Sequence, residues 1–213
     1  PPLFFLLIRR PSRSTPLFSS AASDVYKRQE TVRTNVNLEL AATSEILALA
    51  CEWSPMQATL VPEKREEVTT EGGLALTEAA HLESTGKALD QLVSSGIRAS
   101  LFVDPDETSI QAAADIGADA VELHTGEYAN ATTATRAEEI SRLRRASALA
   151  KELGISVHAG HGLTYENVSP IASIPEIEEL NIGHSIVARA VFTGLERAVR
   201  DMAKIIRQAR LKA

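Results

Sequence analysis

The chain has 213 residues, of which 44% are hydrophobic and 23% charged, a composition typical of a globular protein with one sizeable core. Its net charge of -6 argues against a nucleic-acid partner bound through phosphate neutralisation. A single cysteine, Cys51, excludes an intramolecular disulfide and argues against a cysteine-based zinc site.

The first 29 residues differ in character from the rest. They contain five basic residues and one acidic residue, whereas the remainder of the chain is acidic. Their apolar run, residues 3–8, is far too short to span a bilayer, so we expect no membrane association. We predict that residues 1–29 are foreign to the fold, either disordered or artefactual. An authentic targeting or interaction arm is the alternative.

From residue 30 onward, short apolar runs alternate with longer segments of helical periodicity. The predicted strands are 34–38, 58–61, 99–103, 120–123, 156–158 and 180–182. The predicted helices are 44–53, 76–95, 108–116, 137–153, 165–172 and 195–209. Gly96, Gly117 and Gly154 stand where helices are expected to stop. The strands read as apolar on both faces, as in a buried parallel sheet.

This alternation predicts βαβ units in one α/β domain, residues 30–213. We count about six units, whereas an eight-unit TIM (β/α)8 barrel typically needs about 250 residues. The sequence therefore predicts an incomplete barrel of the TIM type, with about two units missing from its front.

Two acidic residues lie near predicted strand ends, which line the ligand site in parallel α/β folds. Glu39 lies between apolar runs, so burial would favour its neutral form and make it a proton carrier near neutral pH. Glu122 alternates with Val121 and Leu123 and is expected to point into the barrel. For both carboxylates, a structural ion pair is the alternative.

The second-to-last predicted strand, 156–158, is followed by a histidine that lies between two glycines. His161 lies between Gly160 and Gly162, and an imidazole with an ordinary pKa of about 6.5 suits proton transfer. A purely structural histidine is the alternative. His124 and His158 fall inside strands and are expected to be satisfied core histidines, and His81 is expected on the surface.

Two further segments suggest ligand binding. Gly183 and His184 open the helix after the last strand, where free N–H groups and the helix dipole favour an anion such as phosphate. Thr69 precedes the turn at Gly72 and Gly73, and its hydroxyl can hydrogen-bond a ligand. No pair of histidines or carboxylates has metal-ligand spacing, so we predict no metal.

At these residues the chain closely resembles the pyridoxine 5′-phosphate synthase family, barrel enzymes that close the pyridine ring in vitamin B6 synthesis. The resemblance covers nearly everything after residue 30, and its motifs are long and ordered. The matching segments are NLEL (37–40), LVPEKREEVTTEGGL (60–74), SLFVD (100–104), ELHTGEYA (122–129), AGHGLTYENV (159–168) and IPEIEELNIGHSIVARAVFTGLERAV (174–199).

The resemblance implies condensation of 3-amino-2-oxopropyl phosphate with 1-deoxy-D-xylulose 5-phosphate, which yields pyridoxine 5′-phosphate and releases phosphate and water. By motif, Glu39 resembles a general acid/base, His161 a proton donor, and Glu122 a group that stabilises charge in the transition state. The implied substrate-binding positions are Thr69, Gly162, Gly183 and His184, of which the last two hold a phosphate. The family also implies a cytoplasmic homo-oligomer without organic cofactor or metal.

The chain departs from the family at its front. The family begins with an Asn-x-Asp-His strand, an arginine-bearing loop and a second strand with a catalytic histidine, whereas residues 1–29 contain neither histidine nor asparagine. We therefore expect little or no synthase activity from this polypeptide alone.

Two alternatives of other classes remain open from the sequence. One is a non-catalytic phosphate-binding partial barrel. The other is a different phosphosugar-handling barrel enzyme, such as an isomerase or an aldolase. An aldolase would need a Schiff-base lysine at a strand end, and Lys64 is the nearest lysine, in a charged loop.

Overall fold

The computed structural model describes residues 35–62 and 72–212, together with the backbone of Phe4 and Phe5. The strands in these residues are β1 (Phe4–Phe5), β2 (Asn37–Ala41), β3 (Gln57–Val61), β4 (Arg98–Val103), β5 (Ala120–His124), β6 (Ser156–Gly160) and β7 (Ile177–Asn181). All pair in parallel in one sheet, ordered β1-β7-β6-β5-β4-β3-β2.

Helices follow the strands along the described part of the chain. They are α1 (Ser44–Trp53), α2 (Ala79–Ser94), α3 (Glu107–Asp115), α4 (Gly126–Asn130), α5 (Arg136–Glu152), α6 (Val168–Ala172), α7 (His184–Thr193) and α8 (Leu195–Arg210). β2 to β7 with their helices form part of a (β/α)8 barrel, which confirms the predicted fold class.

The six predicted strands are present, but some boundaries were wrong. The first strand begins at Asn37 and ends at Ala41, so Glu39 lies at its centre, paired with Thr59, and not at its end. The last strand begins at Ile177 and includes Glu179, which the prediction had placed before it. Helix α4 was not predicted because five residues are too few to show a helical period.

Glycines end three of the helices, as predicted. Gly96, Gly117 and Gly154 have φ angles of 76°, 80° and 80°. A residue with a side chain is strained in this left-handed conformation, whereas glycine adopts it freely. These turns return the chain to the start of the next strand.

The two faces of the sheet differ in chemistry, which corrects the prediction of strands that are apolar on both faces. The outer face packs against the helices and forms the hydrophobic core. Its strand residues include Leu40, Leu60, Leu101, Val103, Val121, Leu123, Val157, Ala159 and Leu180. The alternating inner positions are mostly polar and include Asn37, Glu39, Gln57, Thr59, Arg98, Ser100, Glu122, His124, His158, Glu179 and Asn181.

The sheet curves enough to bring its distant strands together across the inner face. Asn37 Nδ2 of β2 lies 3.5 Å from Glu179 Oε1 of β7, although four strands separate them in the sheet. Asn37 Oδ1 also accepts a hydrogen bond of 3.0 Å from Thr59 Oγ1. The inner side chains therefore line a common interior, as in a barrel.

Most of the segment predicted to be foreign to the fold lies outside the described residues. The exception is the pair Phe4 and Phe5, whose backbone is aligned in parallel with Leu180 and Asn181 of β7. The foreign character of residues 1–29 stays a prediction. None of the described helices has the length and apolar character needed to cross a membrane.

Candidate active site

Glu122 occupies the interior near the C-terminal end of β5 and is 2% exposed. Burial raises the pKa of this carboxyl well above its ordinary value, and the neighbouring carboxylates of Glu39 and Glu179 raise it further. The amide of Asn181 opposes this shift, yet no hydrogen bond of ordinary geometry joins the two side chains. The raised pKa favours the neutral form of Glu122, which argues against the ion-pair alternative.

Space for Glu122 comes from a glycine on the next strand. Gly160 is paired with His124 and Asn181, and a Cβ at Gly160 would overlap Glu122 Oε1. Among the described residues, Glu122 Oε2, Ser100 Oγ and both polar side-chain atoms of Asn181 are buried without a hydrogen-bond partner. Unpaired buried polar atoms are costly, so their clustering marks a place where water or a ligand is expected.

His161 directly follows Gly160 and adopts a positive φ of 80°, which is rare for a residue other than glycine. Gly162 follows with a φ of 75°, and a Cβ there would lie 2.6 Å from Ala129 Cβ. Thr125 Oγ1 donates to the carbonyl oxygens of Gly160 and His161, at 2.7 and 2.5 Å. The structure thus brings His161 beside the strand end that carries Glu122.

His124 is the functional candidate that the sequence reasoning missed. It is buried, as predicted, but it is not a satisfied core histidine, because its Nε2 has no hydrogen-bond partner among the described residues. Its Nδ1 lies 3.2 Å from Asp104 Oδ1, and its ring centroid lies 5.1 Å from that of His161. The motif ELHTG was the available signal, since its histidine shares the inward parity of Glu122.

Gly183 and His184 follow β7, next to the end of β6. Gly183 is the residue before helix α7, and His184 is exposed at its first position, as predicted. Ser185 Oγ donates to the carbonyl of Leu163 at 2.9 Å, which ties the start of this helix to the loop after His161. The helix N-terminus therefore borders the loop that carries the imidazole.

Thr69 and Lys64 lie outside the described residues. The following turn is described, and Gly73 packs so closely on β4 that a Cβ would overlap the backbone of Val103 and Asp104. Gly73 N also donates to Asp104 Oδ1 at 3.0 Å. The turn is therefore held against the C-terminal end of β4.

A second polar layer lies deeper in the interior, toward the N-terminal strand ends. His158 Nδ1 lies 3.4 Å from Gln57 Nε2 and 3.8 Å from Glu179 Oε1. Burial raises the pKa of Glu179 to about 7 and lowers that of His158 to about 4, so both are neutral between these values. Their contact is not an ion pair in that range.

The arrangement suits acid–base chemistry. The carboxyl of Glu122, whose raised pKa favours its neutral form, lies near Glu39 and beside the loop of His161, and carboxyl and imidazole groups can give and take protons in one reaction. Within residues 35–62 and 72–212, no cluster of three or more histidine, cysteine, aspartate or glutamate side chains could hold a metal ion.

Comparisons with known proteins agree on one family. Residues 20–208 match the family described as "Pyridoxal phosphate biosynthesis protein PdxJ". The chain is 56% identical over 180 residues to a pyridoxine 5′-phosphate synthase of Synechococcus sp. (strain JA-2-3B'a(2-13)), covering 84% of this chain and 74% of the relative. It is 52% identical over 187 residues to the enzyme of the same name from Magnetococcus marinus, covering 87% and 76%.

Solved structures show the fold alone, because their sequences are remote. BexX of Amycolatopsis orientalis, in its complex with CysO, is similar with a TM-score of 0.61 and 16% identity, covering 98% of this chain and 79% of that one. The tryptophan synthase A-subunit of Pyrococcus furiosus is similar with a TM-score of 0.56 and 15% identity, covering 91% and 73%.

Proposed function

Because the chain belongs to the pyridoxine 5′-phosphate synthase family, we propose that its interior site condenses 3-amino-2-oxopropyl phosphate with 1-deoxy-D-xylulose 5-phosphate to pyridoxine 5′-phosphate. The observation that carries this proposal is the buried carboxyl of Glu122, near Glu39 and beside the loop of His161, where burial raises its pKa and favours its neutral form. Condensation of an amine with a ketone expels water, which requires a proton for the leaving oxygen and a base for the nitrogen.

Each side chain has a role in this scheme. Glu39 exchanges protons with the reacting atoms, and His161 donates a proton to a leaving oxygen. Glu122 stabilises charge that develops in the transition state, since a neutral acid in a water-poor interior can donate a hydrogen bond to a developing oxyanion.

Substrate binding involves the glycine-rich turns. Gly162 lets the backbone approach a substrate, and Thr69 supplies a hydroxyl. Gly183 and His184 hold a phosphate at the start of α7, a ten-residue helix whose first N–H groups and dipole favour an anion. The resemblance implies no cofactor, so all proton transfers fall to the chain and its substrates.

We also propose that the protein acts in the cytoplasm as a homo-oligomer. Val191 and Phe192 of α7 are 78% and 90% exposed, and Val187 and Leu195 are about half exposed beside them. An apolar surface of this kind is typical of a subunit interface. Sedimentation analysis should show a mass above that of one chain, and Phe192→Asp should shift it toward the monomer. A purely monomeric wild-type chain would contradict this proposal.

The activity is tested by incubating the purified chain with both substrates and detecting pyridoxine 5′-phosphate by mass spectrometry. Since the sequence predicts little or no turnover by this chain alone, the protein is used at a concentration at which a single turnover gives a detectable signal. We expect product from the wild type and none from Glu39→Gln or His161→Asn. His81→Gln, on the exposed surface, is the matched control and should keep the wild-type yield.

Isothermal titration calorimetry with each substrate separates the alternatives. Binding of both phosphorylated substrates without any product would favour a non-catalytic phosphate-binding barrel. Absence of both binding and product would contradict the proposed function.

A further inference from the structure

Asp104 fixes the orientation of the His124 ring. Asp104 Oδ1 lies 3.2 Å from His124 Nδ1 and also accepts a hydrogen bond from Gly73 N at 3.0 Å. These hydrogen bonds lower the pKa of Asp104, so the group is a carboxylate with no proton to give. Nδ1 of His124 must therefore be the donor, and whenever the ring carries one proton its Nε2 presents a lone pair.

This lone pair is buried without a partner among the described residues. An unsatisfied buried polar atom is costly, so a partner at some stage of the reaction would account for its presence. The ring lies between Phe102 and His161, with centroids 5.2 and 5.1 Å away. Of these two neighbours, only His161 carries a polar group.

The two residues after His124 complete the support for His161. Thr125 holds the carbonyl of His161, and a Cβ on Gly126 would overlap His124 Nε2 and lie 3.2 Å from His161 Cδ2. Gly126 is thus the residue that lets the two imidazoles lie side by side. The positive φ of His161 is a strained conformation, which persists only where the surroundings impose it.

We propose that His124, oriented by Asp104, is a positioning residue that holds the ring of His161 and accepts a hydrogen bond from its protonated form. The proposal rests on the role of His161 as proton donor given above. With an ordinary pKa of about 6.5, an isolated imidazole would be mostly neutral at neutral pH. His124, whose Nδ1 contacts the carboxylate of Asp104, is an acceptor that favours the protonated, donating form of His161.

The charged groups near this pair are Asp104 and Arg142. Asp104 lies behind His124, directly after β4, and Arg142 of α5 helps to lower the pKa of Asp104, which favours its carboxylate form. Phe102 on the other side carries no charge. The carboxylate is therefore the group through which His124 favours a positive charge on His161.

The test is a titration of the His161 ring by NMR in the full chain, labelled in its five histidines. His124→Phe keeps a ring between Phe102 and His161 but removes the acceptor. Asp104→Asn keeps an oxygen for Gly73 N but removes the charge. Each variant should lower the proton affinity of His161 by about threefold or more.

His81→Gln is the control and should leave the His161 titration unchanged. An unchanged or raised His161 midpoint in either folded variant overturns the proposal. Should His124→Phe fail to give a dispersed spectrum, His124→Gln replaces it, with a smaller lowering expected because its amide oxygen can accept. This titration needs no turnover, so its result is independent of the product assay. The role of His124 can be refuted while product is formed, and it can be supported while no product is formed.

Discussion

The two faces of the sheet are equally buried but differ in chemistry. Ser100 and Leu101 are consecutive residues of β4, and both are fully buried. Leu101 belongs to the apolar core beneath the helices, whereas Ser100 Oγ faces the interior without a partner among the described residues. Burial alone therefore does not separate the stabilising part of the molecule from its site. The two parts are distinguished by whether their buried polar atoms have hydrogen-bond partners.

The interior also differs from end to end. Near the C-terminal strand ends, Glu122 and His124 keep unpaired polar atoms, as expected for a site that receives a ligand. Deeper in the interior, Gln57 connects Arg98 and His158, so these polar groups contact one another. We interpret the deeper layer as support for the upper one.

The largest expected effect is a difference in stability between substitutions on the two faces of β4. Leu101→Ala should lower the free energy of unfolding by about 2 to 5 kcal/mol, because it removes buried apolar contacts and leaves a cavity. Ser100→Ala, one residue away, should change it by less than about 1 kcal/mol, because no hydrogen bond to a described partner is lost. Denaturant unfolding of both variants measures the difference. Equal losses would contradict the distinction between the faces.

Glu122→Gln should leave folding intact and lower product formation about a hundredfold, equivalent to about 2.7 kcal/mol of transition-state stabilisation. The amide has the size of the neutral acid and no charge to bury, so stability should not fall. Initial rates with both substrates, together with a melting curve, provide the measurement. Wild-type rates in a folded Glu122→Gln chain would exclude this carboxyl from the reaction.

The deeper layer should make stability depend on pH. Glu179 has a folded pKa of about 7, raised by burial, so its favourable contribution is full below its ordinary value of 4.5 and is lost as pH rises through 7. From pH 5 to pH 8 the wild type should therefore lose about 2 kcal/mol more stability than Glu179→Gln. His158, with its pKa lowered from 6.5 to about 4, makes stability rise with pH in part of this range, but both proteins carry it, so the comparison between them isolates Glu179. Parallel pH profiles for the two proteins would show that Glu179 is not held neutral.

Much of the fold could be predicted because strand and helix periods are local. The alternation in AVELH predicted that Glu122 points into the barrel, and the glycines around His161 marked a strand end. The polar character of the whole inner face was harder to predict. Small residues such as Ala58, Thr59 and Ser100 blur the alternation that larger side chains would show.

The pairing of His124 could not be predicted from its neighbours in sequence. Its partner Asp104 is 20 residues away and follows the adjacent strand β4, and His161 follows the strand on the other side, β6. The sequence pattern around a histidine inside an apolar strand is the same whether or not its second ring nitrogen has a hydrogen-bond partner. Only the three-dimensional structure distinguishes the two cases.

Whether the inner face holds a neutral acid ready for catalysis depends on the protonation state of Glu122. Carboxyl ¹³C NMR of the glutamate-labelled chain, with Glu122→Gln to identify the resonance, follows this group through a pH titration. We predict that Glu122 remains protonated at pH values where exposed glutamates have ionised. Ionisation of Glu122 together with the exposed glutamates, near the ordinary value of 4.5, would contradict the account.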